Sequence, residues 1–162
     1  MEDWVERAMA RMPNVPALFG WLGLNRRGEG LIQGDAYQTL LYKNRLAADV
    51  DIAADVMVKH ATPAGTRSLL DAAKDTMYRG RVDHIIVTGT ATGSTVEVEE
   101  LRQLRSALPE ASIWIGSGLN LENVRKIMTY ADGGIVGTYF HRDGELSNPL
   151  DASRVRDFCS IL

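Results

Sequence analysis

Short polar or glycine-rich segments follow each of four apolar runs in this 162-residue sequence. These segments are Lys59-His60, Thr88-Gly89-Thr90, Gly116-Ser117-Gly118 and Gly137-Thr138. In a parallel α/β protein the carboxyl ends of the strands share one face, and ligands bind at that face. We therefore expect the four segments to lie together at a ligand site.

The last two of these segments are suited to bind an anion. Glycine turns at two successive strand ends, one of them leading into a helix, can direct backbone N–H groups at a phosphate. Many (β/α)8 barrels bind phosphate in the loops after their last two strands. The sequence therefore predicts a phosphate site, although the glycines could instead serve only to permit tight turns. The predicted phosphate-binding residues are Gly116, Ser117, Gly118, Gly137 and Thr138.

Three ionisable residues near the end of the first apolar run form the candidate catalytic group: Asp55, Lys59 and His60. Asp55 lies inside the run, and Lys59 follows four residues later, on the same face of an extended strand. A buried carboxylate needs a partner, and a paired Asp and Lys could transfer protons or form a Schiff base. The pair could instead be a structural ion pair that fixes the core. His60 follows Lys59 directly, so in an extended strand the two side chains point to opposite faces. One of them should face the ligand side and the other the helix layer or a loop.

The segment Thr88-Gly89-Thr90 begins a loop that is rich in hydroxyl groups. This loop could bind a ligand, or its threonines could bond only their own backbone. It lacks the Gly-Lys-Ser/Thr ending of a P-loop, and the chain has no Gly-x-Ser-x-Gly motif, so nucleoside triphosphate hydrolysis and serine hydrolysis are disfavoured. The predicted ligand-loop residues are Thr88, Gly89, Thr90, Thr92 and Gly93.

The composition is that of one globular domain. Hydrophobic residues make up 45% of the chain and charged residues 24%, which suits a packed core and excludes a disordered chain. The formal net charge is -3, so we expect no nucleic-acid partner. Cys159 is the single cysteine, which excludes an internal disulfide and agrees with a reducing compartment.

Neither a metal nor another cofactor is expected. The three histidines show no local ligand spacing, and a lone histidine is more often a hydrogen-bonded structural residue. No apolar run approaches the roughly 18 residues of a transmembrane segment. The acidic start, Met-Glu-Asp-Trp, does not resemble a secretory signal, so the expected location is the cytoplasm.

Apolar runs alternate with amphipathic segments from Ile52 onward, which predicts a parallel α/β fold. Strands are predicted at 52–58, 84–87, 113–115 and 135–136. Helix starts are predicted at Thr62-Pro63, at the capping-box pattern from Ser94 to Glu97, at Asn120 and at Asp151. A helix at 35–48 is expected to bury Tyr37 and Leu41, and the last helix is expected to bury Phe158 and Cys159.

Five blocks of the sequence occur at spacings typical of a known family. They start at Glu29 (EGLIQG), Ala54 (ADVMVKHA), Val87 (VTGTATG), Ile115 (IGSGLNLENV) and Ala131 (ADGGIVGT), and Asp143-Gly144 and Asn148-Pro-Leu-Asp151 follow them. Together they resemble the BtpA/SgcQ family over roughly residues 29–158. Two positions depart from the family pattern: His141 stands where a lysine is usual, and Tyr139 where a small residue is usual.

The resemblance implies a (β/α)8 TIM barrel of the ribulose-phosphate-binding type. Cyanobacterial members are associated with photosystem I biogenesis, while members from other organisms have been supposed to be enzymes because of their fold. The phosphate site gains support from the resemblance. The family offers no reaction to carry over, so the chemical step gains none.

The chain is too short for a complete barrel, which takes about 250 residues. It matches the C-terminal half of the family, about four to five βα units, over residues 29–162, and residues 1–28 form a divergent N-terminal segment. Half a barrel has two unpaired strand edges. A homodimer could complete the barrel, the N-terminal segment could cover the gap, or the chain could be a truncated product.

The main functional hypothesis is a barrel protein that binds a phosphorylated small molecule and acts as a sugar-phosphate isomerase or lyase. One alternative is a non-catalytic assembly or stability factor for photosystem I, peripheral to the thylakoid membrane. Another is a truncated fragment without independent function.

Overall fold

The computed structural model describes residues 17–21, 24–27, 30–33, 35–46, 49–56, 62–63, 68–89 and 96–162. Its strands are β1 (Ala17–Trp21), β2 (Leu24–Arg27), β3 (Gly30–Gln33), β4 (Asp51–Asp55), β5 (Thr62–Pro63), β6 (His84–Val87), β7 (Ser112–Ile115) and β8 (Gly133–Gly134). Its helices are α1 (Ala36–Arg45), α2 (Leu69–Tyr78), α3 (Val98–Ala107), α4 (Val124–Ile127) and α5 (Ala152–Cys159). Two 3-10 turns, Thr138–Phe140 and Arg142–Gly144, precede α5.

The central sheet has five parallel strands in the order β1-β4-β6-β7-β8. Each successive strand is added on the same side of the previous one, whereas a doubly wound sheet reverses its order at a switch point. This confirms the predicted parallel α/β class and is consistent with a partial α/β barrel. A second, antiparallel sheet has the order β3-β2-β5.

The two faces of the central sheet bury different sets of residues, because successive side chains of a strand point to opposite faces. The face towards the helices carries Ile85, Val87, Ile113 and Ile115, all at most 2% exposed. These side chains join a core with Leu101 and Leu104 of α3, Val124 and Ile127 of α4, and Phe158 of α5. The opposite face carries a smaller cluster of Ala53, Ile86 and Trp114.

Two aspartates hold the amino ends of the strands in register. Asp83 precedes β6, and its carboxylate accepts the N–H of Ile52 at 2.7 Å while its own N–H donates to the Ile52 carbonyl. Asp132 precedes β8 and makes the same pair of bonds with Ile113 of β7, at 2.8 Å each. Each carboxylate also contacts a cation from the helix that precedes the neighbouring strand. Lys43 of α1, before β4, contacts Asp83, and Arg105 of α3, before β7, contacts Asp132.

Several predicted element boundaries are wrong. The last strand comprises Gly133–Gly134 and not 135–136, since Asp132 starts the pairing there, although the Ile135 N–H still donates to Ile115. Thr62-Pro63 pairs with β2 and starts no helix. Helix α2 begins after Ser68, whose hydroxyl accepts the N–H of Asp71. Helix α3 begins at Val98, after the predicted capping box, and Ser94 lies outside the described residues.

Two predictions of burial are also wrong. Tyr37 and Leu41 of α1 are 67% and 43% exposed, because spacing defines a helix face but burial requires an element packed against it. Cys159 is exposed, whereas Phe158 takes the core position with its ring 5.4 Å from that of Phe140. Within the described part of the chain, no helix is long and apolar enough to cross a membrane.

Arg105→Ala should destabilise the fold through this amino-end network. The Arg105 guanidinium donates to Asp132 and to the carbonyls of Tyr130 and Ala111, so its loss removes three hydrogen bonds, two of which are partly buried. We expect a loss of about 2 kcal/mol and a melting temperature lower by roughly 4–8 °C. Arg102→Ala is the matched control on the same helix, since Arg102 contacts exposed Glu99, and it should melt with the wild type. Equal melting of the two variants would contradict the proposed role of the network.

Candidate functional site

Residues at the carboxyl ends of three adjacent strands contact one another. The Thr88 hydroxyl, just after β6, donates to Asp55 Oδ2 at 3.0 Å. A Cβ on Gly116, just after β7, would lie 2.5 Å from Thr88 Oγ1 and 2.8 Å from Ile86 Cγ2. The three positions lie two residues beyond Ala53, Ile86 and Trp114, so they continue the face of the sheet opposite the helices. Of the four segments expected to cluster, those that begin at Thr88 and Gly116 are therefore neighbours, while Lys59-His60 lies outside the described residues.

All five residues of the predicted phosphate site line one cavity of about 370 Å³. The loop after β7 supplies Gly116, Ser117 and Gly118, and the segment after β8 supplies Gly137 and Thr138. The cavity size lies within the range of about 300–1,000 Å³ that is typical of small-molecule sites. The structure thus brings together the two loops that the sequence pairs.

Two asparagines shape the loop after β7. Asn123 Nδ2 donates to the Gly118 carbonyl at 2.8 Å, and Asn123 Oδ1 accepts the N–H of Asn120 at 2.9 Å. Asn120 Oδ1 in turn accepts the N–H groups of Glu122 and Asn123. Gly118 has a φ of 81°, a conformation that favours glycine. The predicted helix start at Asn120 is therefore wrong: Asn120 caps a turn, and α4 begins at Val124, after Asn123.

Several hydrogen-bond donors around the cavity have no partner within the part of the chain that the structure describes. They are the backbone N–H groups of Ser117, Gly118, Gly137 and Thr138. Ser117 Oγ is also buried without a partner in that same part. Buried polar groups are nearly always hydrogen-bonded, so the buried Ser117 hydroxyl indicates a missing partner. Gly137 is exposed and Ser117, Gly118 and Thr138 are half-buried, so their N–H groups are open to a ligand or to solvent.

Arg154 also lines the cavity and is a site residue that the sequence analysis missed. Its Nε donates to the Tyr139 carbonyl at 2.6 Å, and its guanidinium lies 4.4 Å from the centre of the Tyr139 ring. Among the described residues, no hydrogen bond uses its terminal nitrogens Nη1 and Nη2. The sequence did contain a signal for a functional role of Arg154. It is the third residue of α5, and the helix dipole disfavours a cation in the first turn of a helix.

Asp151 fixes the start of α5 and thereby the position of Arg154. Its carboxylate accepts the Ser153 hydroxyl at 2.5 Å and the N–H groups of Ser153 and Arg154. The Ser153 hydroxyl is the main cause that holds the pKa of Asp151 below its ordinary value, and the two N–H groups add to it. The cap is therefore ionised at neutral pH, as the predicted helix start at Asp151 requires.

The other predicted site residues are placed only in part. Gly89 is buried beside Thr88. Lys59 and His60 of the predicted catalytic group, and Thr90, Thr92 and Gly93 of the predicted ligand loop, lie outside the described residues.

The described residues contain no group of three or more His, Cys, Asp or Glu side chains that could hold a metal. His141 Nδ1 lies 2.5 Å from the carbonyl oxygen of Asn148. His84 bridges Ser112 Oγ at 2.8 Å and Asp51 Oδ2 at 3.2 Å, at the amino ends of the strands. Both histidines thus have the structural partners expected of isolated histidines.

Comparisons with known proteins agree on one family. The sequence profile of the BtpA family matches residues 21–162. The photosystem I biogenesis protein BtpA of Synechocystis is 40% identical over 140 residues, which cover 86% of this chain and 49% of that protein. An uncharacterised protein of Thermococcus kodakarensis is 37% identical over 86% of this chain and 52% of its own length. An uncharacterised mitochondrial protein of Caenorhabditis elegans is 38% identical, over 80% and 47% respectively. The chain thus spans about half the length of the curated relatives it matches.

Gly116→Ala should test the close contact at the carboxyl ends of the strands. The added methyl group would displace the Thr88 hydroxyl from Asp55 and press on Ile86, which is 5% exposed. We expect a destabilisation of about 1–3 kcal/mol, measured by urea unfolding. Gly137→Ala is the control, because no heavy atom lies within 4 Å of its added methyl group. Equal stability of the two variants would contradict the contact.

Proposed function

The chain belongs to the BtpA family, and we propose that it binds a phosphorylated small molecule in the cavity between the loops after β7 and β8. One observation carries the proposal. Within the described part of the chain, four unpaired backbone N–H groups, a buried unpaired hydroxyl and a guanidinium whose two terminal nitrogens form no hydrogen bond line a single cavity. A phosphate group supplies several acceptor oxygens and a negative charge, and so could satisfy all of these donors.

The charge at the cavity supports a specific site over general attraction of anions. The whole chain carries a formal charge of -3, so its overall field does not favour a phosphate. Arg154 is the cationic side chain among the cavity residues, and the Asp151 cap directs its carboxylate to the helix backbone. Binding would therefore depend on local donors held by the loops.

The fold supports the same function by analogy. In the proposed arrangement the chain forms the C-terminal half of a barrel of the ribulose-phosphate-binding type. Loops after the last two strands of such barrels bind phosphate, and the two cavity loops follow β7 and β8, the last two strands of the described sheet. Fold alone does not define a function, so the donors of the cavity remain the stronger support.

A catalytic version of the proposal makes the protein a sugar-phosphate isomerase or lyase. Asp55 contacts Thr88, which in turn lies against Gly116 of the phosphate loop. A carboxylate at this edge could take a proton from a bound substrate, and the amine of Lys59 could form a Schiff base in a lyase. His60 and the remaining residues of the Thr88–Gly93 loop would complete the polar surroundings. The donors and acceptor at the edge thus favour a phosphorylated compound with hydroxyl or carbonyl groups.

The name of the Synechocystis relative favours a second candidate function, that of a non-catalytic factor in photosystem I biogenesis. This function would require a protein partner and no turnover of a small molecule. Relatives of similar identity come from archaea and a nematode, organisms without photosystem I. We therefore rank the small-molecule site above the assembly role for this chain.

Ser117→Ala tests the phosphate site directly. Loss of one hydroxyl bond to a charged ligand should weaken the binding of inorganic phosphate about tenfold, as measured by isothermal titration calorimetry. The unliganded variant should be no less stable than the wild type, because the change removes a buried hydroxyl that has no partner. A Ser117→Ala variant with wild-type affinity for phosphate would contradict the proposed site.

The matched control for Ser117→Ala is Ser106→Ala. Ser106 lies on α3, and its exposed hydroxyl donates to the Arg102 carbonyl. This variant should keep the wild-type affinity. Melting curves provide a second measurement, since phosphate at about 100 times its Kd should stabilise the wild type by about 2.7 kcal/mol.

Lys59→Ala separates the catalytic version from the assembly role. Turnover of a phosphosugar identified by screening should be lost, while phosphate should still raise the melting temperature, because Lys59 is not among the residues proposed to bind phosphate. Lys74→Ala, a change on an exposed position of α2, is the control. Unchanged turnover in Lys59→Ala would exclude the catalytic role of this lysine.

A further inference from the structure

The cavity has an apolar side that the phosphate site does not use. Ile135 and Leu146 line it and are 39% and 61% exposed. Leu119 and the ring of Tyr139 line the same cavity. Large hydrophobic side chains exposed inside a cavity indicate a binding surface more strongly than the same side chains scattered singly over a surface.

The loop that presents Leu146 is braced by hydrogen bonds. The Arg142 N–H donates to the Pro149 carbonyl at 3.0 Å, and the Arg142 carbonyl accepts Asn148 Nδ2 at 3.1 Å. The Asn148 N–H donates to the Glu145 carbonyl at 2.9 Å. At the end of the loop, the Asp151 N–H donates to the Phe140 carbonyl at 2.8 Å. Leu146 is thus exposed on a loop that is held by its own hydrogen bonds. A ligand could cover this side chain without the entropy cost of ordering the loop.

The polar and the apolar residues that line the cavity suit different parts of a ligand. The unpaired donors belong to the two glycine loops and Arg154 and suit a phosphate. Tyr139 is held by the Arg154 guanidinium, 4.4 Å from the centre of its ring. Asn120 also lines the cavity, and its Oδ1 accepts two backbone N–H groups. The remaining large side chains of the lining, Leu119, Ile135 and Leu146, are apolar and favour contact with an apolar group of the ligand.

We infer that the phosphorylated ligand carries an apolar group next to its phosphate, and that Leu146 and Ile135 contact this group. The inference rests on the proposed phosphate site alone and favours phosphate monoesters with an apolar group as its ligands, in place of the phosphosugars of the catalytic version. Leu146 is then a residue that determines specificity, since its contact distinguishes esters by the group attached to the phosphate. The phosphate contributes the charged contacts, and the apolar group covers the exposed wall.

The test compares three ligands by titration calorimetry on the full chain: inorganic phosphate, glycerol 1-phosphate and phenyl phosphate. Phenyl phosphate should bind about tenfold more tightly than the other two, because its ring covers the apolar wall. Leu146→Asn should abolish this preference and leave the Kd of inorganic phosphate unchanged. Leu150→Asn is the matched control in the same loop, since Leu150 is 64% exposed and does not line the cavity, and it should keep the preference.

The outcomes separate this inference from the proposed function. Equal affinity for the three ligands, tighter binding of glycerol 1-phosphate, or a preference that survives Leu146→Asn would overturn the inference alone. Binding of none of the ligands would overturn both the inference and the phosphate site. A preference that is lost in Leu146→Asn and kept in Leu150→Asn would support the assigned contact.

Discussion

The bond pair between Asp132 and Ile113 sets the geometry on which the candidate site depends. Strand β8 has only two residues, Gly133 and Gly134, so its own ladder is too short to define a register strongly. The Asp132 carboxylate and N–H bind the backbone of Ile113 and align β8 with β7, and Arg105 holds the carboxylate from α3. The loops that follow the two strands form the cavity, so the amino-end network positions the carboxyl-end site.

Close packing on both sides of β8 reinforces this register. A Cβ on Gly133 would lie 3.0 Å from the indole nitrogen of Trp114, and a Cβ on Gly134 would clash with Leu119. Leu119 is 4% exposed and lines the cavity, so the approach of β8 also places one apolar wall of the site. The glycines here are required by what lies next to them, whereas a Cβ on Gly137 would meet no heavy atom of the described residues within 4 Å.

The sequence predicted the class of fold and the location of the site because both follow from short-range patterns. Apolar runs of strand length alternate with amphipathic segments, and in a parallel sheet this alternation places every strand end on one edge. The glycine loops at 116–118 and 137–138 therefore line one cavity as predicted. Boundaries were less predictable: Thr62-Pro63 has a helix-start sequence, yet its backbone pairs with β2.

The sequence by itself determined the parallel α/β order, the pairing of the two glycine loops and the helix cap at Asp151, because periodicity, turn chemistry and capping act over a few residues. Only the tertiary structure decided that Arg154 lines the same cavity as two loops that precede it by some 16 to 38 positions. It also decided that Leu146 lines this cavity and that Ser117 Oγ is buried with no partner among the described residues. The physical reason is that a partner, or the lack of one, depends on which distant segments pack together. Local spacing fixes the face on which a side chain lies, and packing decides what that face meets.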